Sequence, residues 1–341
     1  MTSRLTTFSP TFALQTGLPM PLIEHSDYQP PQFLWNGHLQ TIVPSLFRKV
    51  PVSYERERLT TPDDDFLDLD WSVKTGQTKL VILSHGLEGD STRQYIAGMV
   101  RHLNNHGYDC LAWNFRSCSG EMNRQLRMYH SGATDDLDTV VNQAVAKGYE
   151  DISLVGYSLG GNLTLKYLGE YADRLPSAVR RAVVFSVPLD LAASSGMLSR
   201  GFSRVYVRRF LKHLRLKVEG KEKLFPQHIS SKNYRRLRTL IDFDNQYTAP
   251  LHGFEDAWDY YRRNSSIHFL DRINVPTLVV NAQNDPMLAP ECFPEALARK
   301  LSCVWMEFPE EGGHCGFPPA DSKNEVYWSE ERALRFLKEH A

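Results

Sequence analysis

A chain of 341 residues, 42% hydrophobic and 23% charged, can bury a sizeable core as one large domain or two ordinary ones, without disulfides or a structural metal. Its 39 Lys+Arg against 40 Asp+Glu leave a net charge of -1, which removes any global charge argument for nucleic acid. The 5 cysteines, at positions 110, 118, 292, 303 and 315, are odd in number and form no Cys-x-x-Cys pair, so neither a disulfide framework nor a zinc site is expected.

No run reaches the ~18 consecutive apolar residues of a membrane span. The start, Met-Thr-Ser-Arg-Leu-Thr-Thr-Phe-Ser-Pro, has neither the basic nor the apolar stretch of a secretory signal. The expected location is the cytoplasm, with peripheral membrane contact left open.

Residues 1–32 hold five prolines, at 10, 19, 21, 30 and 31, and read as an extended arm packed on the surface or partly disordered. Asn36 has the side chain of an N-cap for a short helix through Gly37–Ile42, with a break expected near Pro44. Two runs, Val52–Leu59 and Phe66–Trp71, flank the turn-rich Thr60-Thr61-Pro62-Asp63-Asp64-Asp65 and predict a hairpin. Leu80–Leu83, Cys110–Phe115, Ile152–Val155, Ala182–Phe185 and Thr277–Val280 are short apolar runs separated mostly by helical stretches. Cys303–Phe308 reads as a last strand and Glu331–Glu339 as a closing helix. That alternation predicts an α/β fold, a mainly parallel sheet with helices on both faces and reactive residues just past the strand ends. One excursion interrupts it: 188–266 reads as helices Ser199–Val218, Ser231–Ile241 and Phe254–Arg263, a helical cap. The expected organisation is an arm and short helix over 1–49, core over 50–187, cap over 188–266 and core over 267–341.

After Ile152–Val155 comes Gly156-Tyr157-Ser158-Leu159-Gly160, then the helix Leu163–Tyr171. Gly-x-Ser-x-Gly between a strand and a helix predicts a nucleophilic serine on a strained turn, with the helix N-terminus favouring an oxyanion. A plain helix-capping serine would not need both flanking glycines. Such a serine needs a base, and the base an orienting acid, in the chain order Ser, Asp, His. Asp285 follows Thr277–Val280, and His314 follows Cys303–Phe308 in the loop Glu311-Gly312-Gly313-His314. Asp190 is the rival acid, read preferentially as a hinge carboxylate. The two oxyanion donors expected are the backbone N–H groups of Leu159 and, in His85-Gly86-Leu87-Glu88-Gly89, of Leu87.

These runs, with Asn36-Gly37-His38-Leu39-Gln40-Thr41, Tyr129-His130-Ser131-Gly132, Asn284-Asp285-Pro286 and Gly312-Gly313-His314, resemble the YheT-like branch of the α/β-hydrolases over nearly the whole chain. The resemblance implies an α/β-hydrolase fold and a carboxylic ester hydrolase with Ser158, Asp285 and His314 as the charge relay. The sequence departs from it at Ser117, where the family usually has glycine before the cysteine.

Other signals carry less. His130 and Asp135 spell an acyltransferase-like His-x4-Asp but precede a helix that Thr134 is expected to cap, so they read as structural. Cys118 and Cys315 read as packed thiols. Between Leu198 and Arg238 stand 13 Lys+Arg and 2 Glu, a local charge of +11 interleaved with apolar residues. That pattern suits a solvated cap helix or an anionic lipid surface, and nucleic acid least. The expectation is a serine esterase acting on a small-molecule ester or lipid, with no cofactor or metal. The alternatives are acyl transfer to an alcohol and a non-catalytic lipid-binding protein on the same scaffold.

Overall fold

Strands β1 (Leu22–Ile23), β2 (Glu55–Thr60), β3 (Phe66–Ser72), β4 (Lys79–Ser84), β5 (Asp109–Asn114), β6 (Asp151–Tyr157), β7 (Val179–Phe185), β8 (Thr277–Val280) and β9 (Val304–Glu307) form one sheet in the computed structural model, which describes residues 21–74, 78–321 and 324–341. Their order is β1-β9-β8-β7-β6-β4-β5-β3-β2. From β1 to β5 every neighbouring pair is parallel, and only β3 and β2 run against their neighbours. The apolar runs read from the sequence are the central strands, buried on both faces as helix-covered parallel strands must be. The expected hairpin is β2–β3, closing on Thr60 opposite Phe66. Strand β1, two residues beside β9, has no sequence pattern of its own. The first part of the expected arm, up to residue 20, lies outside the described residues.

Helices α1 (Gly37–Phe47), α2 (Gln94–Asn104), α3 (Thr134–Ala146) and α4 (Leu159–Glu170), with the closing helix Trp328–Glu339, accompany the sheet. Asn36 does cap α1, its Oδ1 accepting the Leu39 N–H at 2.9 Å. The break expected at Pro44 does not occur, because α1 continues to Phe47. Pro44 removes only the N–H that would meet the Gln40 carbonyl, and that carbonyl abuts Gly316 instead. Thr134 is not the cap of α3: it is the first helical residue, and its hydroxyl donates to Glu170 Oε2 at 2.5 Å.

Between β7 and β8 the chain is helical, but with other boundaries than its periodicity suggests. Helix α5 (Leu191–Leu198) starts at Asp190, and a turn at Gly201 (φ 50°) delays α6 to Arg204–Leu224. The helix expected over 231–241 does not form. Thr239 begins a new one, its hydroxyl accepting from Asp242 N–H while the Asp242 carboxylate accepts from Thr239 N–H. What precedes it is a single 3-10 turn, Tyr234–Arg236. The last predicted helix is Ala257–Asn264. Tyr206, Leu211, Val218, Tyr234, Phe243 and Tyr247 pack this segment into its own apolar cluster.

Ser117, where the family pattern has glycine, sits at φ 63°, in the left-handed region that favours glycine. Its hydroxyl offsets the strain, donating to Asn123 Oδ1 at 2.6 Å and accepting the Asn123 N–H at 3.1 Å.

Candidate active site

Strand β6 ends at Tyr157 and α4 begins at Leu159, so Ser158 alone makes the turn between them, at φ 54° and ψ -119°. A non-glycine residue held there stores about 1–3 kcal/mol of backbone strain. The flanking glycines permit the crossing. A β-carbon on Gly160 would lie 2.4 Å from the Ser84 carbonyl oxygen, and one on Gly156 2.6 Å from that of Gly160. Gly86, from the loop after β4, approaches from the other side, where a β-carbon would stand 3.2 Å from that of Ser158. Asn162, buried one turn into α4, ties it to the surroundings through Ser131 O, Asn264 O and the Ser266 N–H.

His314 Nε2 lies 2.9 Å from Ser158 Oγ, and its Nδ1 lies 2.8 Å from Asp285 Oδ2. The second Asp285 oxygen accepts the Met287 N–H at 2.9 Å. Asp285 is buried, and burial alone would push the imidazole pKa down. The adjacent Asp285 carboxylate and the Cys315 side chain together outweigh that and hold His314 well above the ordinary histidine range. Asp190, the rival acid, caps α5 by accepting the Ala193 N–H.

Leu87 and Leu159 both line the cavity that Ser158 borders. Gly86 N–H is taken up by the Tyr95 hydroxyl at 3.1 Å, whereas among the described residues no turn or loop hydrogen bond takes up the N–H of Leu87 or Leu159. His85 is buried with its pKa pushed down to about 3 by burial. Its Nε2 accepts the Phe115 N–H and its Nδ1 donates to the Gly86 carbonyl, which fixes the loop.

Three residues of the site went without a role in the sequence reading. Gln40, fully buried on α1, accepts through Oε1 from Gly312 N–H at 2.8 Å and from Asn284 Nδ2 at 3.0 Å. Thr41 Oγ1 accepts the His314 N–H at 2.8 Å and donates to the Gly37 carbonyl. Asn284 Oδ1 accepts the Gly313 N–H at 3.0 Å. Helix α1 therefore holds both the Asp285 loop and the His314 loop. Its run was visible as a family match, but no local rule says what a mid-helix Gln bonds.

Ser158 and His314 border two cavities. One encloses about 900 Å³ of empty space, mouth included, and runs beneath the β7–β8 helical segment between apolar side chains such as Leu198, Leu214, Phe243 and Leu288. His130 also lines it. It does not pair with Asp135, which bonds Arg127, and burial holds its pKa well below the ordinary value. The other cavity is walled by α1, the start of α2 and the outer part of α6. Among the described residues no cluster of three or more His, Cys, Asp or Glu has the arrangement of a metal site.

Gln40→Leu should leave Gly312 N–H, Asn284 Nδ2 and the Leu34 carbonyl, which Gln40 Nε2 bonds at 2.7 Å, without partners. At roughly 1–3 kcal/mol for each orphaned group, stability should fall by at least about 3 kcal/mol in urea unfolding. A variant as stable as wild type would remove Gln40 from this account.

The family model described as alpha/beta hydrolase fold matches residues 79–321. YheT of Escherichia coli (strain K12), provisionally named an esterase, is 36% identical over 92% of this chain and 93% of its own. Phospholipase ABHD3 of Homo sapiens is 28% identical over 85% of this chain and 73% of its own, and a monoacylglycerol lipase of Saccharomyces cerevisiae is 27% identical over 82% and 62%. Among solved structures, the Pyrococcus furiosus esterase Pf2001 superimposes with a TM-score of 0.56 at 16% identity, covering 84% of this chain and 91% of its own, a likeness of fold. With a family model over most of its length and a relative aligned nearly end to end, the chain belongs to the α/β-hydrolase family, in its YheT-like branch.

Proposed function

We propose that the protein hydrolyses carboxylic esters with an apolar acyl chain through an acyl-Ser158 intermediate. The observation that carries this reading is the unbroken hydrogen-bond line from Ser158 through His314 to the buried Asp285, at the mouth of an apolar cavity. Ser158 Oγ attacks the ester carbonyl as His314 Nε2 takes its proton. Asp285 keeps the Nδ1–H tautomer and stabilises the imidazolium. The tetrahedral oxyanion falls to the Leu87 and Leu159 N–H groups, with α4's positive end behind the second. Collapse breaks the C–O bond, His314 protonates the departing alcohol, and a water activated by the same imidazole frees the acid. Hydrolysis rather than acyl transfer is the reading because water suffices as acceptor. The segment 188–266 serves as the cap that walls the acyl cavity.

The relatives named as a phospholipase and a monoacylglycerol lipase make lipid esters the natural substrate class. The surface supports that class. Helix α1 carries no charged residue, and Phe47 at its end and Trp35 before it are each 73% exposed. His38 of α1 packs against Phe202, itself 55% exposed, which joins this apolar strip to the basic helix α6. Exposed apolar groups near Arg204 and Arg208, which form no ion pair among the described residues, suit an anionic lipid surface. No described helix is long and apolar enough to cross a membrane.

Three outcomes test this. Ser158→Ala should lose fluorophosphonate labelling and ~10⁴–10⁶-fold in turnover while remaining folded; undiminished esterase activity would sink the nucleophile. Because the neutral imidazole is the base and Asp285 raises its pKa, kcat/KM should rise with pH through a limb above ~6.5. This is later than a free histidine would give, and Asp285→Asn should slow the reaction about 10⁴-fold. A limb at or below ~6.5 in wild type would contradict the coupling. Finally, replacing Arg204, Arg208 and Lys212 with Gln should weaken binding to phosphatidylserine-containing vesicles by about 3 kcal/mol, roughly a hundredfold. Wild type that ignores such vesicles even at low salt would leave α6 a solvated face.

A further inference from the structure

The second cavity shares Leu87, Ser158, Phe210, Met287 and His314 with the first and is also largely apolar, but its wall adds basic side chains that the first lacks. Arg93, Arg209 and His213 line it, and about 830 Å³ of space, mouth included, lies between them and the serine. One negative side chain, Glu88, is also in the wall, but it is occupied. Its Oε1 accepts from Tyr129 Oη at 2.6 Å and from Lys217 Nζ at 2.8 Å, so an ammonium already balances it. Arg93 donates from Nη2 to the Glu88 carbonyl at 2.6 Å and makes no ion pair among the described residues. Arg209, exposed at the rim, has neither an ion pair nor a hydrogen bond among them. Two guanidinium groups thus line the cavity that Ser158 borders, neither paired with a carboxylate among the described residues, and one of them is half-buried. Elsewhere in this chain the half-buried and buried arginines are mostly spent on carboxylates, as Arg116 is on Asp63, Asp65 and Asp136.

We infer that this cavity receives the alcohol part of the ester and that Arg93 and Arg209 select an alcohol bearing an anionic group, a phosphate monoester or a carboxylate. The inference rests on the reading of Ser158 as nucleophile and adds to it the substrate's second half. The acyl chain fills the apolar cavity, so the leaving oxygen points the other way. When the acyl–oxygen bond breaks, the proton that His314 Nε2 took from Ser158 passes to that oxygen, the acyl group stays on Ser158, and the alcohol departs along the cationic wall. Guanidinium forks match the geometry of phosphate and carboxylate oxygens, and the partial burial of Arg93 makes its attraction stronger than at an open surface. The anionic group therefore belongs to the substrate itself rather than to a free ion or a neighbouring lipid head.

The test uses the whole protein and two monomeric esters with the same octanoyl chain, one of glycerol and one of glycerol 3-phosphate. Wild type should favour the phosphate-bearing ester in kcat/KM by at least about tenfold. Glycerol 3-phosphate should compete with it at concentrations where inorganic phosphate does not. Arg209→Gln and Arg93→Gln should each bring the ratio of the two kcat/KM values down about tenfold. Arg209→Lys should keep part of it, and Arg209→Glu should drive it below one. A wild-type ratio near one, a ratio indifferent to Arg93 and Arg209, or a preference instead for a charge at the far end of the acyl chain overturns the inference. Equal inhibition by inorganic phosphate overturns it too, because the site would then be a free-anion site. The two readings fail separately. Ser158-dependent cleavage of both esters at equal rates sinks only this inference, whereas cleavage that survives Ser158→Ala sinks the nucleophile and this inference with it.

Discussion

A single buried side-chain oxygen, Gln40 Oε1, accepts hydrogen bonds from the loop that carries Asp285 and from the loop that carries His314. The two loops follow different strands, β8 and β9, and nothing in the sheet by itself fixes them to within a hydrogen-bond length. Gln40 does so from α1, more than two hundred residues away in sequence. Thr41 adds a bond to the His314 backbone, and Gly313 and Gly316 leave room for α1 to come close: a β-carbon on Gly316 would stand 2.2 Å from the Gln40 carbonyl oxygen. A misplacement of about 1 Å in such an array costs roughly a hundredfold in rate. The fit of α1 against these loops is therefore a condition for the relay.

The Ser158 half is held differently. Ser158 is strained between two rigid elements, and close backbone crossings at Gly156, Gly160 and Gly86 fix its backbone, leaving its hydroxyl to His314. The strain persists because the core of β4, β6 and β7 on one side and α4 on the other over-determines the turn. The site thus joins a stiff serine turn to a histidine–aspartate pair clamped by a peripheral helix. Two largely apolar cavities meet at that junction, and arginines stand in the wall of one of them.

Much of this was legible in the residues. The strand–glycine–serine–glycine–helix run is a local signal with a steric cause, and the order of Ser158, Asp285 and His314 follows strand ends that their apolar runs disclose. What could not be read was non-local. The family-matching runs around Gln40 and Gly132 carried no role until the fold set Gln40 against Gly312, and Gly132 so close to Asn264 that no β-carbon fits. The helical segment was visible as helical, but its boundaries followed competing caps: Thr239 starts a helix where the Tyr234, Leu237 and Ile241 spacing predicted one already under way. Thr134, a fitting cap by residue type, found a better partner in Glu170 across a helix interface. The basic stretch was read as one patch. In space it divides into residues with partners, such as Arg215 on Glu219 and Lys217 on Glu88, and residues that face outward or into the second cavity.

The central claim is that covalent chemistry passes through Ser158, though Cys315 adjoins the base at φ 54°. It is tested most directly by mixing the enzyme with p-nitrophenyl octanoate, quenching in acid during the first turnovers and locating the octanoyl group by peptide mass spectrometry. The account predicts a burst of nitrophenol matched by octanoyl on the peptide that contains Ser158. Octanoyl on the Cys315 peptide, or nitrophenol released with no acyl-enzyme at all, would contradict it.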